Sequence, residues 1–109
     1  MAKIVWTEKA SDHLQAIYEY IAHDSPIYAE RFVRSLVKST AKLDNMPLCG
    51  RSVPEFNDSN LREVIYRNYR IVYNVCDPSR LPILAVVHGA RDFLPVFSAE
   101  WDISLSLVQ

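Results

Sequence analysis

The sequence predicts an α+β fold with the element order β-α-α-β-β-β. Three observations carry this. The chain opens with a short β-branched and aromatic run, KIVW. Two stretches with apolar residues at helical spacing follow, separated by Ser25-Pro26. Three consecutive runs rich in Val, Ile and Tyr then fill residues 61–88, with turn sequences between them. A block of helix followed by a block of strand gives segregated layers, with the helices on one face of an antiparallel sheet.

Each element has its own signal. Lys3 to Trp6 reads as the first strand. Thr7 is placed to cap a helix, its hydroxyl accepting an orphan backbone N–H. Ala10, Leu14, Ile17 and Ile21 then form one apolar stripe, and the helix should stop near Asp24, ahead of Pro26. Ser25 is a second cap, with Pro26 at the first helical position. Ala29, Phe32, Val33, Leu36, Val37, Thr40 and Leu43 make the buried stripe of the second helix, which should end before Pro47. Two helices joined this tightly form an antiparallel hairpin. Residues 47–60, PLCGRSVPEFNDSN, carry turn residues and no sustained period, and read as a loop. Strands are expected at Leu61 to Tyr66, Tyr69 to Cys76 and Leu81 to His88, joined by the tight turn Arg67-Asn68 and by DPSR. They form a meander, and the N-terminal strand adds to the same sheet, because a lone strand cannot satisfy its backbone groups. In the tail, Pro95 interrupts any continuous helix, and a short helix is possible from about Ser98.

Composition bounds the function classes. At 109 residues, half of them hydrophobic, the chain reads as one domain, 1–109, with core enough to fold without metal or disulfide. Cys49 and Cys76 lie outside any metal-ligand spacing and read as reduced thiols. No signal-peptide core and no membrane-length apolar run is present, so a cytoplasmic protein without membrane contact is expected. No cofactor is implied. The net charge of −1 argues against an overall basic nucleic-acid binder. The charge alternates by segment, however. Arg31, Arg34, Lys38, Lys42 and Arg51 follow an acidic first segment, five arginines lie within 61–91, and no base follows Arg91.

The motifs YRIVY (Tyr69 to Tyr73) and VHGARDF (Val87 to Phe93), one hairpin apart, follow the loop GRSVPE and the strand LREVIY. In this order, over Lys3 to Phe93, they resemble the RelE/ParE superfamily of type II toxin–antitoxin toxins, with a leaning to the ParE and plasmid-stabilisation branch. The resemblance implies a small toxin neutralised by a cognate antitoxin whose disordered C-terminal segment wraps it, with operator DNA reached only through the antitoxin. It also implies one of two activities. RelE-like members cleave mRNA in the ribosomal A site, whereas ParE-like members poison DNA gyrase and need no catalytic residue.

Metal-free RNA cleavage needs activation of a 2′-hydroxyl, cations at the developing phosphorane charge and an acid for the leaving oxygen. Under that reading Arg70 and Arg91 match the family's phosphate-contacting arginines, and His88 and Arg62 complete the candidate set. Some relatives use histidine and glutamate, and His88 and Glu55 are present. The departures point the other way. The strand before YRIVY offers only Arg62 where RelE has a lysine pair, Glu63 would oppose a phosphate, and no tyrosine follows Tyr73. Catalytic residues are therefore not assigned, and a gyrase poison is the expected activity.

Bland readings explain many of the same residues. Arg62 and Arg70 can be sheet-surface residues paired with Glu63 or Asp77. His88 can be a structural histidine at a strand end. Tyr66, Tyr69 and Tyr73 suit cross-strand packing, and the Arg31–Lys42 series suits a solvated helix face. Alternation along YRIVYNV puts Arg70, Val72 and Asn74 on the face opposite Tyr69, Ile71 and Tyr73. With the helices on one face, the other is expected to be a partly apolar, arginine-bearing cleft. The partner-binding residues expected from this are Arg62, Arg70, Val72 and Arg91, joined by Phe93, Phe97 and Trp101 of the tail. A toxin-fold module that has lost toxicity and only binds its antitoxin is a further reading, and predicts no growth defect when the chain is expressed alone.

Overall fold

The structure is a computed structural model that describes residues 2–89. Arg91, Phe93, Phe97, Trp101 and the helix expected from about Ser98 lie outside the described residues. The order is β1 (Lys3–Trp6), α1 (Glu8–Ala22), α2 (Pro26–Lys38), a 3-10 turn (Ala41–Asp44), β2 (Arg51–Ser52), β3 (Leu61–Tyr66), β4 (Tyr69–Asn74) and β5 (Arg80–His88). The five strands form one sheet in the order β1-β5-β4-β3-β2. The expected α+β fold is present, with β3, β4 and β5 as the antiparallel meander. β1 joins β5 in parallel, in register from Lys3 opposite Arg80 to Trp6 opposite Ile83.

The helices start on the residues that cap them. The Thr7 hydroxyl accepts from the Ala10 N–H at 3.2 Å and donates to the Ile83 carbonyl at 2.7 Å, so one side chain opens α1 and ties it to β5. The Ser25 hydroxyl accepts from the Tyr28 N–H at 3.2 Å, with Pro26 in the first turn. The second helix is shorter than its apolar stripe suggests. Ser39 and Thr40 turn their hydroxyls back onto the carbonyls of Leu36 and Val37, and the chain continues as a 3-10 turn. Side-chain hydroxyls that compete for helix carbonyls at a terminus end it in this way.

Two cores sandwich the sheet. On the helix side Ile17, Leu36 and Leu43 pack on Val64, Ile71, Tyr73, Ile83 and Val86. On the other side Leu61, Val72, Leu84, Ala85 and Val87 form a second cluster, capped by Val53 and Phe56 from the loop before β3. This corrects the expectation of an open cleft on the helix-free face. Val72, expected to meet a partner, is fully buried. The loop folds back over the sheet because leaving Val72, Leu84 and Val87 in water would forgo about 1.5–3 kcal/mol per side chain.

The same loop is less irregular than its composition suggests. Arg51–Ser52 adds as an edge strand to β3, with Arg51 opposite Glu63. Its approach is held by Tyr73, whose hydroxyl donates to the Pro47 carbonyl at 2.7 Å and accepts from the Gly50 N–H at 3.0 Å. Gly50 is needed here, because a Cβ would sit 2.5 Å from that hydroxyl and 2.6 Å from the Glu63 carbonyl oxygen. Burial pushes the Tyr73 phenol above its usual range, so it stays protonated and able to donate.

Candidate functional site

The tight turn between β3 and β4 fixes the site. Tyr66 pairs with Tyr69, which sets Ile65 opposite Arg70 and Glu63 opposite Val72. Arg67 takes the left-handed conformation that such a two-residue turn demands, at φ 54°. Glu63 and Arg70 then stand diagonally on the helix-free face, within reach of each other. Arg51 arrives on the same face from β2, and Glu55 from the loop beyond it.

These four side chains form one ion-pair network. The Arg70 Nε donates to Glu63 at 2.7 Å, and its two terminal nitrogens grip both oxygens of Glu55 at 2.8 and 2.6 Å. The other oxygen of Glu63 accepts from the Arg51 Nε at 2.6 Å. The side chains of Glu63 and Arg70 are 0% and 6% exposed, and that of Arg51 is 60% exposed. Two carboxylates face two guanidiniums, so the buried charges compensate and each carboxylate is hydrogen-bonded. The hydrogen bonds from Arg70 hold the Glu55 carboxyl below its usual range, and Glu55 in turn raises the Arg70 guanidinium.

The network borders an open cleft of about 280 Å3 at the turn end of the sheet, whose lining includes Arg51, Ile65, Arg67, Asn68, Arg70 and His88. Beside it runs an aromatic chain. The Phe32 ring of α2 meets Tyr66 and Tyr69 edge-on at centroid distances of 5.6 and 5.8 Å, and Tyr69 meets His88 at 5.5 Å. These contacts dock α2 on the end of the meander. Arg67 lies over the Tyr66 ring at 5.8 Å.

The structure therefore brings Arg70 and His88 to one cleft and separates Arg62 from them. Arg62 pairs across the strands with Tyr73, on the opposite face of β3 from Glu63, and donates to the Gly50 carbonyl at 2.9 Å. These contacts tie the loop to β3 on the face away from Arg70. The pairing of Arg70 with Glu63 allowed by the sequence is present, but it is buried rather than superficial. Arg51 and Arg67, absent from the sequence-based set, line the cleft. His13 was also not foreseen: its Nδ1 accepts from the Val86 N–H of β5 at 3.0 Å, where β1 no longer covers that strand. Among the described residues no three His, Cys, Asp or Glu side chains converge as metal ligands.

Residues 4–93 match the family described as the ParE toxin of the type II toxin–antitoxin system parDE. The chain belongs to the ParE toxin family. It is similar to the Toxin RelE2 of Caulobacter vibrioides, with 36% identity over 92 residues that cover 84% of this chain and 99% of the relative. It also shares its fold with a solved chain described as the chromosomal ParDE TA system from P. aeruginosa. That match has a TM-score of 0.68 at 24% identity, covering 81% of this chain and 96% of the other. This ParE-family chain is a toxin of a type II toxin–antitoxin system.

Proposed function

We propose that this toxin acts by binding a protein target rather than by cutting RNA, that the target is DNA gyrase, and that a cognate antitoxin neutralises it. One observation carries the first part. Arg70, the best-placed candidate for a transition-state clamp, has its guanidinium fork on Glu55 and its Nε on Glu63. A cation already compensated by two carboxylates adds little field at a developing phosphorane charge. Arg62 is on the wrong face to assist. Membership of the ParE family supports gyrase as the target, with arrest through stalled DNA cleavage complexes.

A second reading is a ribosome-dependent, metal-independent mRNA endoribonuclease. It is favoured by His88 and Arg70 lining one cleft and by the RelE name of the Caulobacter relative. Expression of the chain alone in cells separates the two. The gyrase reading predicts growth arrest with DNA breaks and intact messages. Ribosome-phased mRNA ends without DNA breaks would reverse the choice. An Arg70→Lys variant adds a second axis, because the nuclease reading makes toxicity depend on that guanidinium and the gyrase reading does not, provided the variant folds.

A further inference from the structure

We propose that the outer face of α2 is a contact surface for the phosphate backbone of duplex DNA. Arg31, Arg34 and Lys38 recur at i, i+3 and i+7, which places them along one side of α2, and Lys42 follows in the 3-10 turn. All four are exposed. The buried residues of α2, Ala29 and Leu36, point the opposite way into the core. Among the described residues, the one carboxylate partner of these four bases is Glu30, 2.6 Å from Arg34, in a pair whose side chains are 75% and 63% exposed. Such a pair holds its cation weakly and releases it to a stronger anion.

The charges of the helix hairpin are segregated. The exposed residues of α1 include Glu8, Asp12 and Glu19, while the ridge of bases lies on α2. A chain of net charge −1 thus carries a concentrated positive stripe backed by an acidic helix. At about 1.5 Å per residue the stripe from Arg31 to Lys38 runs for roughly 10 Å. That is about three base-pair steps along the axis of a duplex.

The chemistry of the stripe selects its occupant. Ser35 supplies an exposed hydroxyl between the bases, and the large exposed apolar side chains of α2, Ile27 and Tyr28, flank the N-terminal end of the ridge and leave the stretch from Arg31 to Lys38 to the bases. Protein interfaces centre on desolvated apolar or aromatic anchors, and here the exposed Ile27 and Tyr28 stand at one end of the stripe rather than at its centre. Single-stranded nucleic acid is held by successive stacked rings, for which the ridge offers Tyr28 alone, at its N-terminal end. A membrane-surface helix needs its apolar face free, and that of α2 is committed to the core. Point cations with a hydroxyl, in line on a rigid helix, suit backbone phosphates and give positioning without sequence readout. This contact is direct, independent of any antitoxin, and does not rest on gyrase being the target.

The test is the salt dependence of binding between the full purified chain and a short labelled DNA duplex, followed by fluorescence anisotropy. With about three cations engaged, log K should fall with log salt at a slope of about −3 between roughly 50 and 200 mM. The double variant Arg31→Gln/Lys38→Gln should weaken binding at least about tenfold at the lower salt and bring the slope to about −1. Lys9→Gln, on α1, should leave both unchanged, and all three proteins should melt at the same temperature because the altered residues are not in the core. No binding at the lower salt, a slope unaffected by the double variant, or tighter binding of a single-stranded RNA of equal length would each overturn the proposal. Duplex binding without trapping of gyrase would keep this contact and remove only the gyrase target.

Discussion

Replacing Glu63 by alanine would leave the Nε groups of Arg70 and Arg51 without their shared acceptor, in a place where the lost side chain is fully buried. Removing one partner of a buried pair costs about 3–5 kcal/mol, because the remaining charge is uncompensated. Glu63→Ala should therefore lower the urea midpoint strongly, or prevent folding. Glu55 reports on the same network through pH. Its folded pKa lies below the ordinary value of 4.5, chiefly through the hydrogen bonds from Arg70. The stability it adds is thus fully present above that value and is lost as pH falls through it toward the folded pKa. Comparing urea midpoints at neutral pH and below pH 4, wild type should lose more than Glu55→Gln. Equal losses would contradict the role given to this pair. Tyr73→Phe removes two hydrogen bonds and leaves the Gly50 N–H and Pro47 carbonyl without them, at a cost of about 1–3 kcal/mol. A midpoint within error of wild type would show that water replaces the hydroxyl.

The elements most legible in the sequence are those fixed by local chemistry. The starts of both helices follow from Thr7 and Ser25-Pro26, and the β3–β4 register follows from a two-residue turn. That register sets Glu63 and Arg70 diagonally across β3 and β4, and a pairing of Arg70 with Glu63 was one of those the sequence allowed. What was not legible was their burial, because it depends on a loop whose own sequence has no period. β2 is only two residues long, too short to show alternation, and it forms because Tyr73, Arg62 and Gly50 bring that loop against β3. The second apolar cluster was half visible, since Val72, Ala85 and Val87 alternate with residues of the first core. Its cover by Val53 and Phe56 joins residues far apart in the chain, which periodicity cannot register. Thr7 tests how the helical layer is tied to the sheet. Thr7→Ala loses the cap of α1 and the bond to Ile83 together, so about 1–2 kcal/mol should be lost in thermal or urea unfolding. Thr7→Ser should recover most of it.

At the level of the whole molecule, sheet and helices form a frame that many binding surfaces could share, and the function lies in which side chains remain available on it. Net charge alone hid the division of this chain into an acidic α1, a basic α2 and a compensated network at the end of the meander. Those arginines of the nuclease reading that lie among the described residues are held by the fold: Arg62 by loop carbonyls, and Arg70 by Glu55 and Glu63. Among the described residues, no helix is long and apolar enough to cross a membrane. Of the residues that the sequence suggested for a site, Arg70 and His88 line one cleft, while Arg62 and Val72 do not, and the sheet face expected to lie open is covered by Val53 and Phe56. The measurement that tests the central claim most directly uses purified, antitoxin-free protein with gyrase, supercoiled plasmid and ATP, followed by detergent and protease to trap broken DNA. Linear plasmid accumulating with toxin dose is the expected result, and it should persist in Arg62→Gln protein that remains folded. Protein that arrests growth yet yields no linear DNA, while cutting messages on ribosomes, would contradict it.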